Sequence, residues 1–169
     1  MSAILLRALE PKDIDFLFEL ENDQDLWHLS QTQQPFSAHL LGDYIAQADR
    51  DIYEAKQFRF AIELSDKQQV VGFIDLFDFD PKNKRAGIGI IIHRKYQGFG
   101  FGSAALKLVM DYAFKILYLH QLYANIAIDN LPSIQLFESA GFELVGHKKD
   151  WLFDGETFKD ELLYQLIKP

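Results

Sequence analysis

A single α/β domain over residues 1–169 is the fold this sequence predicts, and three observations predict it. Stretches with period-two apolar alternation and stretches with apolar residues at i, i+3 and i+4 follow one another along the chain. No linker, internal repeat or low-complexity segment interrupts them. The length of 169 residues, 49% of them hydrophobic and including 15 Phe and 7 Tyr, is enough for one packed core.

Residues 4–9 read as a first strand. Pro11, Lys12 and Asp13 open a helix with Ile14, Leu17 and Phe18 on one stripe. Residues 23–37 are polar around QTQQP and read as a loop. Residues 38–54 carry Leu40, Leu41, Tyr44, Ile45 and Ala48 at helical spacing. Strands follow at 59–64, 70–79 and 86–92, separated by turns at 65–69 and 80–84. The run QGFGFGS at 97–103 is a glycine-rich turn. Behind it, Leu106, Val109, Met110, Ala113 and Leu117 mark an amphipathic helix, with Ser103 as its N-cap. Residues 121–128 form a strand. Asn130 caps a further helix with Pro132 in its first turn, where a missing N–H does no harm, and Gly141 supplies the left-handed C-cap. A strand at 142–149, a hairpin turn at Asp154-Gly155 and a strand at 157–167 close the sheet.

Composition narrows the function. With 17 basic and 25 acidic residues the net charge is -8, which disfavours binding to phosphate backbones and favours cationic ligands, amines among them. The densest basic stretch, PKNKR at 81–85, reads as a solvated turn. The absence of Cys removes disulfides, a thiolate nucleophile and Cys-based metal sites. The five His show no metal-ligand spacing, so no metal is expected. No apolar run approaches 18 residues, so no membrane span is expected, and the N-terminal MSAILLRALEPKD reads as mature cytoplasmic protein.

The turn at 97–103 has chemistry of its own. A helix start presents unpaired N–H groups and the positive end of the dipole, and glycines let a phosphate come close to the backbone. The dinucleotide fingerprint G-x-G-x-x-G fails because Ser103 stands where the last Gly is needed, and the Walker pattern is absent. Q-x-x-G-x-G fits, on Gln97, Gly100 and Gly102.

Two stretches, IIIHRKYQGFGFGSAALKLVMDYAF and LYANIAIDNLPSIQLFESAGFELVG, resemble the GNAT (GCN5-related) N-acetyltransferases, and the resemblance spans essentially the whole chain. RALEPKDIDFLFEL and WLFDGETFKDELLYQ look most like the spermidine or diamine N-acetyltransferases and the ribosomal-protein N-terminal acetyltransferases. The resemblance implies an α/β (α+β) fold with a mixed, mostly antiparallel sheet splayed at its centre and flanked by helices. It implies acetyl-CoA as the acetyl donor. Backbone groups of Ile90, Ile91 and Ile92 would pair with the pantetheine arm. The turn of Gln97, Gly98, Phe99, Gly100, Phe101, Gly102 and Ser103 would cradle the pyrophosphate. Asn130, Ser133 and Phe137 would touch the cofactor from the other side. The acceptor is expected to be a small-molecule amine, a polyamine or diamine first; a protein N-terminus and a non-catalytic CoA-binding sensor are the alternatives. A homodimer or higher homo-oligomer is the expected assembly.

An alkylamine, with a pKa of about 10.4, costs roughly 4–5 kcal/mol to deprotonate at neutral pH. Burial or a general base must supply that. A backbone N–H on the 90–92 strand is the natural donor to a developing oxyanion. The leaving thiol, at about 8.5, benefits from an acid without requiring one. The chain departs from the family twice. Phe137 stands where many members have a Tyr acid, and Gly87 where many have a Glu on the fourth strand. Asp75 and Asp78 are the nearest remaining acids and the expected catalytic residues, Asp78 matching an acidic position in the polyamine enzymes. Alternation puts Asp75 on the face of Phe73 and Phe77 and Asp78 on the other, unless a bulge intervenes. Tyr123 and Tyr164 are alternative proton donors, and Trp27 and Phe36 are candidates for a substrate mouth or for core aromatics.

Overall fold

The computed structural model describes residues 3–169. Met1 and Ser2, the start of the stretch read as free of a leader, lie outside the described residues. The elements are β1 (Ile4–Ala8), α1 (Ile14–Glu21), α2 (Trp27–Ser30), α3 (Ala38–Ala46), α4 (Ile52–Ala55), β2 (Phe58–Leu64), β3 (Gln69–Asp80), β4 (Arg85–Ile92), α5 (Phe101–Lys115), β5 (Gln121–Ala127), α6 (Leu131–Ser139), β6 (Glu143–Phe153) and β7 (Phe158–Ile167).

All seven strands join one sheet in the order β1-β2-β3-β4-β5-β7-β6. Every neighbouring pair is antiparallel except β4 and β5. Those two run parallel and pair only over Arg85–Gln121, Ala86–Leu122 and Gly87–Tyr123. Beyond Gly87 they part, so the sheet is mixed, mostly antiparallel and split at its centre.

Helices cover both faces. Leu106, Val109 and Ala113 of α5 and Phe137 of α6 pack with Ile74, Leu76, Leu122 and Ile126 on one side. Leu17 and Leu20 of α1 and Leu41 and Ile45 of α3 pack with Ala61 and Phe73 on the other. No helix among the described residues is long and apolar enough to cross a membrane.

Four boundaries differ from expectation, each for a local reason. The helix expected over 38–54 is two helices, because the polar stretch after Ala46 offers no apolar stripe and Asp51 caps a new turn by accepting from Tyr53 N–H at 2.7 Å. The loop at 23–37 contains α2, and Asn22 closes the loop through paired hydrogen bonds with the Phe36 backbone, 3.0 and 2.8 Å. β6 continues past Lys149 to Phe153, across a bulge where Asp150 adopts φ 49° and its N–H reaches Asp160 at 2.9 Å. Finally, α5 begins at Phe101 with Gly100 as N-cap, so Ser103 is not the cap. Gly100 at φ 81° turns the chain in a single residue, and the helix starts earlier than side-chain capping would place it.

Candidate active site

Two adjoining spaces border the split between β4 and β5 and share Ile90, Ala127, Asn130 and Ser133 in their walls. The outer cleft, about 710 Å³, runs over Ile90–Ile92, the turn from Gln97 to Ser103 and the start of α6. The inner cavity, about 120 Å³, lies deeper, between Ile88–Ile90, Ala124–Ala127, Phe137, Leu152 and Glu161, with His28, Leu29 and Gln31 above it.

The free edge of β4 follows from the ladder. His93 N–H donates to the Val71 carbonyl at 2.9 Å, so 93/71 is a hydrogen-bonded pair. Such pairs alternate along an antiparallel ladder. Ile91/Phe73 is therefore bonded as well, while Ile92/Gly72 and Ile90/Ile74 are not. The polar backbone of Ile90 and Ile92 thus faces the split. Ile91 lines the cleft, yet its N–H and C=O point into β3 and its side chain packs with the α1/α3 cluster. This corrects the expectation that all three isoleucines offer backbone partners: two do. The Ile92 carbonyl already accepts from Gln97 Nε2 at 2.9 Å, which fixes the strand end to the turn.

The turn has the backbone geometry that an anion site requires. Gly98 and Gly100 both sit at φ 81°, the left-handed region in which a side chain is strained. The first bond that includes the helix start is Ala104 N–H to the Gly100 carbonyl, 3.1 Å. The N–H groups of Phe101, Gly102 and Ser103 precede it and have no helical partner. Phe99, exposed, stacks on Phe101, which is buried in the core, with ring centroids 5.9 Å apart. Opposite, Asn130 caps α6 by accepting from Ser133 N–H at 3.3 Å, and both residues line the cleft. Lys159 lines it too, its charge held by Asp129 at 2.8 Å.

The expected acids are placed elsewhere. Asp75 accepts two hydrogen bonds from Arg59, at 2.7 and 2.9 Å, and Arg59 also reaches Glu21 at 2.6 Å and lies over Tyr44 and Phe73. Burial opposes the guanidinium charge, but Asp75 and then Tyr44 and Glu21 hold it protonated. Asp78 lies in a bulge at φ 47°, exposed, beside Tyr123. The expected catalytic residues Asp75 and Asp78 are thus held by an arginine and exposed on the β3 bulge, respectively, and neither borders the two spaces. Asp75→Ala is expected to lose about 1.5–3 kcal/mol of stability, since it removes two hydrogen bonds to a sheltered charge and leaves Glu21 as its one acid partner. Denaturant unfolding measures this, and calorimetric affinity for CoA should be unchanged.

The Gly87 position has a steric explanation. A Cβ there would lie 2.4 Å from the Phe77 ring, and that ring packs edge-on against Tyr123 at 6.0 Å. Phe77 thus fills the space a fourth-strand side chain would need. Gly87→Ala is expected to cost about 1–3 kcal/mol through overpacking, and a Phe77→Ala background should relieve it; thermal or urea midpoints of the three variants decide.

Phe137 is 2% exposed, meets Phe142 edge-on at 5.0 Å and forms part of the inner cavity wall. Tyr164 is buried and donates to Glu138 at 3.0 Å, so it faces away from the split. Burial first, and then Asp78, raises the Tyr123 pKa. Trp27 is held by the Glu21 carbonyl at 2.8 Å, and Phe36 packs with the α1/α3 cluster, so neither forms a mouth. His28, Leu29, Asn125, Leu152 and Glu161 line the inner cavity instead. They come from α2, β5, β6 and β7, and only their alternation on strands, such as Asn125 opposite the core-facing Ala124 and Ile126, was visible in the sequence.

The comparisons with known proteins agree with this geometry. An acetyltransferase (GNAT) domain model matches residues 3–143. The chain is 28% identical over 163 residues to a spermidine N(1)-acetyltransferase of Vibrio cholerae, covering 94% of this chain and 90% of that one. It is 30% identical over 161 residues to the Escherichia coli spermidine N(1)-acetyltransferase, covering 95% and 83%. The crystal structure of spermidine N-acetyltransferase from Vibrio cholerae in complex with CoA and spermine superposes with a TM-score of 0.88 at 26% identity, covering 97% of this chain and 95% of that one. A split sheet with a free strand edge facing a glycine-lined helix start, and a family model over residues 3–143, together assign the chain to the GNAT family: it is an acetyl-CoA-dependent N-acetyltransferase.

Proposed function

We propose that the chain acetylates a polyamine or small diamine bound in the inner cavity, with acetyl-CoA lying along the outer cleft. The observation that carries this reading is the adjacency of the two spaces at the β4/β5 split, where both are walled by Ile90, Ala127, Asn130 and Ser133. The relatives that act on spermidine support the class of acceptor.

The residues present fit the donor. Gly98 and Gly100 adopt the conformation that opens the turn, and a Cβ at Gly102 would point at Leu136, Ile90 and Ile92 at 3.7–3.8 Å, so the glycine keeps that wall of the cleft low. In this reading the N–H groups of Phe101, Gly102 and Ser103 hold the pyrophosphate, with Gln97 bracing the turn. The Ile90 and Ile92 edges pair with the pantetheine, and Asn130 and Ser133 close it from α6. Bound acetyl-CoA supplies an acetyl group as a thioester. Ile90 N–H donates to a carbonyl oxygen placed beside it and stabilises charge developing there. The apolar walls, Ile88, Ile90, Ile126 and Phe137, exclude water and favour the neutral form of an entering amine. Phe137, in the inner cavity wall, would lie beside the acetyl end and has no proton to give.

The same proposal includes one domain over residues 1–169, a cytoplasmic setting and assembly of like copies. Exposed Trp151, Phe153 and Phe158 on the β6–β7 hairpin support contact between copies. Turnover of acetyl-CoA with spermidine, 1,4-diaminobutane and a peptide with a free N-terminus, followed by released thiol, tests the acceptor. Faster release with either small amine than with the peptide is expected. CoA binding without thiol release for any amine would overturn the reading.

A further inference from the structure

The wall of the inner cavity contains a seat for an alkylammonium, and the chain fills it with one of its own. Lys148 of β6 lies opposite Glu161 of β7. Its Nζ is 2.6 Å from Glu161 Oε1, 3.0 Å from Asn125 Oδ1 and 4.9 Å from the centre of the Trp151 ring. A carboxylate, an amide oxygen and an aromatic face are the groups that recognise a protonated amine. Glu161 and Asn125 also line the inner cavity, and among the described residues Glu161 is the one carboxylate that does. The pair is sheltered, with side-chain exposures of 29% for Lys148 and 14% for Glu161. A lysine side chain is a butylammonium on a tether, so the seat is already shaped for the class of molecule the cavity is proposed to receive.

We propose that Lys148 is a stand-in for the acceptor's ammonium. A cationic acceptor gains the Glu161–Asn125 seat by displacing Lys148, and that exchange sets the preference among amines. This rests on the reading of the inner cavity as the acceptor site. With Lys148 in place, a second positive charge meets a neutralised carboxylate; with it withdrawn, the same charge meets a free one. The competing role, a staple between β6 and β7, predicts a change in stability and none in amine affinity.

Calorimetry of 1,4-diaminobutane into the CoA complex separates the two. Lys148→Met keeps the apolar stem and removes the charge, and should tighten the diamine roughly three- to tenfold, the size of one partly sheltered ion pair. Glu161→Gln should weaken it by about tenfold or more, and Lys148→Arg should leave it near the wild-type value. Affinity for CoA alone, measured on the same samples, should be unchanged in all three because neither residue lines the outer cleft. If Lys148→Met does not fold, as judged by its thermal transition, Lys148→Gln takes its place. Unchanged or weaker diamine binding on removal of the charge overturns the proposal, as does the absence of diamine binding in every variant. Loss of acetyl-CoA turnover with all amines in the wild-type enzyme would instead strike the functional reading itself.

Discussion

Phe137→Tyr is expected to raise kcat about a hundredfold, the lower end of what a positioned general acid contributes. The ring stands in the wall of the inner cavity, packed edge-on against Phe142 at 5.0 Å and 2% exposed. The two tyrosines expected as alternative donors are not free to replace it. Tyr164 donates a hydrogen bond to Glu138, and Tyr123 stands beside Asp78 outside both spaces. The thiolate therefore departs without a side-chain acid from these positions. Because a thiol of pKa about 8.5 leaves fairly well unaided, the gain belongs at the modest end of the range. Steady-state kinetics across pH is the measurement. The gain should fade as pH rises toward about 10, where a tyrosine loses the proton it would donate. An unchanged kcat would assign the proton to a group already in the wall, with Ser133 the first to examine.

Much of the fold was legible because its signals are local. The strand, glycine turn and helix at 86–115 announced themselves through alternation, the glycines and an apolar stripe, and Asn130, Pro132 and Gly141 bounded α6 as their backbone chemistry requires. What stayed hidden was pairwise. Asp75 reads as an acid on an apolar face, and nothing near it in sequence shows that Arg59, one strand away, takes both its oxygens. Gly87 reads as a lost glutamate until Phe77 is seen in the vacated space. Glu161 and Lys148 are ordinary strand charges until β6 and β7 pair and bring Asn125 beside them. The cofactor side of a site built on a helix terminus is local backbone chemistry and can be read in order along the chain. The inner cavity, the proposed acceptor side, is lined by six elements distant in sequence, and its composition depends on register.

That contrast gives the backbone turn the strongest test. Gly102→Asp is expected to weaken CoA binding about a thousandfold while leaving the fold at least as stable. Gly100 is the less informative position, because its φ of 81° strains any side chain and would confuse folding with binding. Gly102 is inside α5, and a Cβ built there meets nothing closer than Leu136 at 3.7 Å and Ile90 and Ile92 at 3.8 Å. Replacing a helical glycine by aspartate recovers about 0.3 kcal/mol of helix propensity, since aspartate is itself a poor helix former. A carboxylate in the first turn also complements the helix dipole by about 0.3–1 kcal/mol. Both effects favour the free protein. For the ligand the sign reverses: the same carboxylate stands in the mouth of the anion site, and two like charges about 4 Å apart at an effective dielectric near 20 repel by about 4 kcal/mol, which is three factors of ten in affinity. Gly102→Ala, which adds the methyl without the charge, should fold as well and lose less. Calorimetry with CoA and thermal unfolding on the same samples give both numbers, and a Gly102→Asp variant that binds CoA like the wild type would remove the pyrophosphate from the start of α5.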